Sequence, residues 1–188
     1  MRLPAPRIAP LAEADLDPAA QAALAVLPEQ ARGFAIFRTM ARATDALAAF
    51  LGWGDYVLSR RNSLTPRQRE LAILRVGFLC AAGYEWAQHR VIGLQSGISA
   101  EEIEAIKVGP EAPCWDPLDA AILAASDQLV RDHFIANDTW TALAPLGERG
   151  RMDLVFTVGQ YTQVSMLLNS FGVQLDPGLT LDPDLDRR

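Results

Sequence analysis

Apolar residues recur every three to four positions along nearly the whole chain, the spacing of helices that bury one face. No stretch sustains the strict alternation of a strand, and no fixed-period repeat appears. Start signals divide the pattern. Asp17-Pro18 and Asp116-Pro117 each set a capping residue before a proline at the first helical position, opening "PAAQAALAVL" and "PLDAAILAASDQLV". Thr65 with Gln68, and Ser99 with Glu102, have the three-residue spacing of capping boxes. "GFAIFRTMARATDALAAFLGWGDYVLSR" predicts two helices, and "YEWAQHRVIGLQSG" one that ends near Gly97. "NDTWTALAPLG" predicts a short helix and turn, and "ERGRMDLVFTVGQYTQVSMLLNSFGV" a long helix. From Leu71 to Ala82 only Arg75 interrupts an apolar surface, so this helix is expected at the centre of the fold.

The predicted architecture is all-α and single-domain. Residues 1–27 form an N-terminal extension with a short helix, 28–174 the helical domain, and 175–188 an extended or flexible tail. Several helices are more apolar than a small monomer needs, so a homo-oligomer is expected, with the extension wrapping a neighbour.

Composition narrows the classes of function. Half of the 188 residues are hydrophobic, enough for a true core, and the net charge of −6 argues against nucleic acid as a partner. The start lacks an apolar run of signal-peptide length, and "VGFLCAAG" is too short to span a bilayer. A cytoplasmic protein with no membrane partner is expected. Cys80 and Cys114 form no CxxC, which disfavours a disulfide scaffold and a thiolate zinc site.

The residues that could carry chemistry cluster in "AAGYEWAQHR". Glu85 and His89 are four apart, on one face of a helix. A carboxylate beside an imidazole in a partly dry site favours the charged ring, which suits proton transfer near neutral pH. Tyr84 and Trp86 flank Glu85 and could supply a hydroxyl and an apolar wall. Glu70, on the preceding helix, is a third candidate acid. Structural readings stand beside each of these. A Glu–His pair at this spacing occurs on many helices and contributes only tenths of a kcal/mol. Glu70 also suits a first turn through the helix dipole, and Arg75 is as good a buried structural partner as a substrate clamp. His133 reads as a structural cation at a helix C-terminus. Tyr161 and Asn169, eight apart on the long helix and so on nearly the same face, read as core or interface residues ahead of pocket-lining ones. Glu85 and His89 would supply two metal ligands where three or four are needed, so no metal is expected.

"LTPRQRELAILRVGFLCAAGYEWAQHRVIGLQSGIS", with "DPLDAAILAASDQL" and "GQYTQVSMLLNSFGV" downstream, resembles the carboxymuconolactone decarboxylase family, which includes the alkylhydroperoxidase-D-like proteins. The likeness spans roughly residues 30–173. It implies an alkylhydroperoxidase-D-like helical bundle that assembles as a dimer to hexamer. The peroxidase branch of the family has a glutamate, a cysteine twelve residues on, a second cysteine three later and a histidine four after that. The corresponding residues here are Glu70, Ala82, Glu85 and His89, so both thiols are replaced. The decarboxylase branch resembles this chain better. It implies a cofactor-free lyase or isomerase acting on a small acidic, ring-derived metabolite such as a carboxylated lactone. His89 would donate the proton, Glu85 would orient it, Glu70 would be a second acid–base group, and Arg75 or Arg90 would hold the substrate carboxylate. The alternatives are a peroxidase-like protein with a degenerate site and a non-catalytic ligand-binding oligomer.

Overall fold

A computed structural model describes residues 1–186. These residues form helices and connecting loops with no strand among them. The helices are α1 (Pro18–Ala25), α2 (Ala35–Met40), α3 (Thr44–Leu58), α4 (Pro66–Leu79), α5 (Gly83–Gln95), α6 (Ala100–Val108), α7 (Pro117–Asp132), α8 (Asn137–Ala142) and α9 (Gly147–Phe171).

The start signals act as their chemistry requires. Asp17 and Asp116 accept backbone N–H bonds at the heads of α1 and α7, and both capping boxes are complete at Thr65 and Ser99. Helix α4 is the axis of the bundle. Every residue from Glu70 to Gly77 is buried, and α5, α7 and α9 pack around it. Leu71, Ile73, Leu74 and Val76 are wholly inaccessible, so burial on all sides, rather than one amphipathic face, stabilises this helix. A smaller core, with Ala20, Leu24, Ala41 and Leu47 at its centre, joins α1 to α3.

The extension wraps its own chain: the N–H groups of Arg7 and Ile8 both donate to the Phe171 carbonyl at the end of α9. The C-terminal segment is extended and tied down by acids. Asp176 accepts from the Ala35 N–H at 2.8 Å, and Asp182 and Asp184 pair with Lys107 at 2.7 and 2.9 Å. Of the predicted tail, Arg187 and Arg188 lie outside the described residues. The turn between α4 and α5 is tight. Ala81 adopts a left-handed φ of 50°, a conformation that costs a non-glycine residue about 1 kcal/mol. Gly83 follows, where a Cβ would come within 2.6 Å of Leu181 Cδ1, so glycine admits the C-terminal segment against this turn. Among the described residues no helix is long and apolar enough to cross a membrane.

Candidate active site

The α4–α5 turn brings the two helices back alongside each other, which sets residues of the middle of α5 against the start of α4. His89 Nδ1 lies 2.7 Å from Glu70 Oε2. Glu70 is 1 % exposed and His89 8 %. A carboxylate at Nδ1 holds the proton on that nitrogen, which leaves Nε2 as the working end of the ring. Nε2 has no hydrogen-bond partner among the described residues. The edge of Tyr161 from α9 meets the imidazole at a centroid distance of 4.8 Å and fixes its plane.

The pairing differs from the one that helical spacing suggests. Glu85 is not bonded to His89. Its Oε2 accepts from Ser165 Oγ on α9 at 3.1 Å, and its Oε1 is buried without a partner. The reason is the close approach of α4 at Gly77, where a Cβ would sit 3.0 Å from Glu85 Oε1. The bare glycine lets the carboxyl tuck between helices instead of reaching along its own. Burial pushes the Glu85 pKa well above its ordinary value, with the nearby Glu70 charge adding to the shift, so this acid stays protonated over a wide pH range.

Tyr84, Glu85, His89, Gln160 and Tyr161 share the wall of a cavity of about 730 Å³ between α2, α3, α5 and α9. That volume suits a small organic molecule. Most of the remaining wall is apolar, with Phe34, Phe37 and Phe50 at its sides. Asp55, also in the wall, is an exposed residue whose carboxylate pairs with Arg61 at 2.5 Å. Tyr84 donates its hydroxyl to Asp176, and Gln88 Nε2 bonds the same carboxylate at 2.8 Å, so the C-terminal segment braces this wall.

Three of the expected substrate contacts are placed elsewhere. Arg75 is 4 % exposed and locked to Asp127, with Nε–Oδ1 at 2.5 Å and a second N–O contact at 2.8 Å. Its remaining donors go to the carbonyls of Ile106 and Lys107. Apolar neighbours leave a buried guanidinium no choice but the acid on α7. Arg90 is exposed, one position past His89 and so turned out of the cavity. Trp86 is fully buried on the opposite side of α5, tilted against Phe78 and covered by Lys107. No arginine or lysine lines the cavity among the described residues.

Two residues at the site escaped the sequence reading: Gln160 in the cavity wall, and Ser165 behind it as the partner of Glu85. Both are polar residues inside the apolar pattern of α9, one and four positions from Tyr161. Their burial at 5 % and 0 % was the missing signal. Asn169, predicted to share the Tyr161 face, instead donates to the Cys80 carbonyl at 2.9 Å and clamps the end of α4. Burial pushes the Cys80 thiol up, which opposes thiolate formation. Among the described residues no group of three or more His, Cys, Asp or Glu side chains is placed to hold a metal ion.

The sequence profile of the carboxymuconolactone decarboxylase family matches residues 44–128, the span that carries α3 to α7 and with them Glu70, Glu85 and His89. Solved structures share the fold. An uncharacterized peroxidase-related protein from Ralstonia eutropha with an alkylhydroperoxidase AhpD core is 18 % identical, with a TM-score of 0.72 over 90 % of this chain and 93 % of that one. A putative antioxidant defence protein AhpD from Agrobacterium tumefaciens is 17 % identical, with a TM-score of 0.64 over 73 % and 94 %. The debrominase Bmp8, in a cysteine-to-alanine variant solved with 2,3,4-tribromopyrrole, is 16 % identical, with a TM-score of 0.67 over 90 % and 91 %. No curated protein sequence matches the chain.

Proposed function

We propose that this protein is a cofactor-free proton-transfer enzyme, a lyase or isomerase of the carboxymuconolactone decarboxylase type, that acts on a small ring-derived metabolite in the cavity. One observation carries the reading. His89 is held at Nδ1 by a buried carboxylate and presents an unpartnered Nε2 at the wall of a cavity of small-molecule size.

The chemistry follows from the two protonation states of the ring. In an isomerase, neutral Nε2 takes a proton from a carbon next to a carbonyl. The electron pair moves to the carbonyl oxygen as an enolate, and the same nitrogen returns the proton to another carbon. In a decarboxylase, loss of carbon dioxide generates the enolate, and charged Nε2–H delivers a proton to carbon and is recharged from solvent. Glu70 positions the ring and fixes its tautomer in both cases. Glu85, uncharged and close by, is a hydrogen-bond donor that adds no negative charge to the site where an enolate would form.

The replaced thiols support this reading over peroxide reduction, since Ala82 and Glu85 stand where the peroxidase branch carries its cysteines. The test is turnover of a panel of ring-derived lactones, enones and their carboxylates, followed by NMR in D₂O. Wild-type protein should incorporate deuterium at carbon, and His89→Gln should not. Full activity in His89→Gln on a confirmed substrate would refute the assignment. Hydroperoxide consumption that disappears in Cys80→Ser would favour the thiol chemistry instead.

A further inference from the structure

The polar groups left free in the cavity point to the kind of molecule it takes. Tyr161 is 6 % exposed, Gln160 5 %, and neither side chain makes a hydrogen bond to any described residue. Both line the cavity beside His89. An amide and a phenol buried without partners are costly unless a ligand or water satisfies them. Burial, reinforced by the Glu70 charge, pushes the Tyr161 pKa well up, so this hydroxyl remains a donor. The Gln160 amide offers both a donor and an acceptor.

Charge complementarity excludes as much as these groups invite. The cavity wall has no arginine or lysine among the described residues, and its histidine already faces the Glu70 carboxylate at 2.7 Å. A ligand carboxylate would lose its hydration there and meet no arginine or lysine. An ammonium would meet the Asp55 carboxylate already paired with Arg61, and Glu85 buried with a pKa raised well above the ordinary carboxyl value.

We infer that the cavity binds an uncharged, mostly apolar ring compound bearing one hydroxyl or carbonyl group, and that Gln160 and Tyr161 determine this specificity by hydrogen bonding that group beside His89. The inference rests on the proton-transfer reading for where the substrate sits, and it selects the isomerase over the decarboxylase.

The experiment compares four probes of one ring system, namely naphthalene, 2-naphthol, 2-naphthoate and 2-naphthylmethylammonium, by calorimetric titration into the full-length protein at pH 7. We expect 2-naphthol to bind roughly tenfold more tightly than either ion, the discrimination that one satisfied buried hydrogen bond and one avoided charge burial supply. Gln160→Leu should weaken 2-naphthol about fivefold to tenfold and leave naphthalene within about twofold. Gln160→Glu, which keeps the shape of the side chain, is titrated in parallel and should weaken 2-naphthoate further. Equal or tighter binding of 2-naphthoate or the ammonium would overturn the inference, as would equal losses for naphthalene and 2-naphthol in Gln160→Leu. These are binding results, so they stand apart from turnover. A carboxylate-selective cavity with an essential His89 would refute the neutral-ligand inference and leave the proton-transfer reading intact.

Discussion

Helix α4 carries two buried polar clusters five residues apart, and they end differently. At Arg75 every direction is satisfied: Asp127 takes two contacts, and the carbonyls of Ile106 and Lys107 take the rest. At Glu70 the contacts stop at His89, and beyond its Nε2 lie a cavity, a free amide and a free phenol. Both clusters are equally dry. A closed network in a dry interior contributes to packing and uniqueness, while an open one keeps unsatisfied groups that only another molecule can complete. Burial of a charged residue therefore says little about function until its partners are counted.

The contrast can be broken from either side. The largest effect is expected at the open end: His89→Gln should lower turnover by about 10²–10⁴-fold, with the thermal transition nearly unmoved. A large loss of stability instead would place His89 with the structural cluster. Next is the closed end. Arg75→Ala leaves the buried Asp127 with only the exposed Arg131 at 3.3 Å and should cost about 3 kcal/mol in urea unfolding, with the remaining folded protein binding ligands normally. Altered ligand affinity in that variant would make Arg75 part of the site after all.

A smaller effect should separate Glu85 from both. Its pKa is raised by burial, so above its ordinary value of 4.5 the native protein holds a proton that the unfolded chain has released. Stability then falls as pH rises from about 4.5 toward the folded pKa. Gln is isosteric with the protonated acid and carries no such dependence. Glu85→Gln should raise the melting temperature at pH 8 and leave it nearly unchanged at pH 4.5. A variant less stable than wild type at pH 8 would mean that the carboxylate is ionised and paired. The smallest effect on stability is expected from Gly77→Ala. The helix gains about 1 kcal/mol in propensity, which the 3.0 Å contact with Glu85 Oε1 offsets. Stability should stay within about 1 kcal/mol while turnover falls, because the Glu85 carboxyl must shift; unchanged turnover would remove Glu85 from the chemistry.

The helices were readable because their signals are local. Asp17, Thr65, Ser99 and Asp116 cap where their spacing predicts, and the apolar surface of 71–82 does mark the central helix. The site was readable only as a set of residues. Tyr84, Glu85 and His89 line one cavity with Glu70 behind the imidazole, but the link expected between Glu85 and His89 is made by Glu70 instead, and neither arginine reaches the wall. Spacing of four along a helix puts two side chains on one face without obliging them to bond, and a neighbouring helix at Gly77 offered Glu85 a closer home.

By itself the sequence determined which segments coil, where they start and stop, which helix is buried, and which titratable groups exist to do chemistry. Each of these depends on residues within a turn or two of one another. Tertiary structure alone decided that Glu70 meets a histidine nineteen positions away, that Arg75 meets an aspartate 52 away, and that Gln160 and Tyr161 face an open space. Those outcomes depend on how whole helices pack, and packing assigns each buried polar group the partner it can reach rather than the one nearest in the chain.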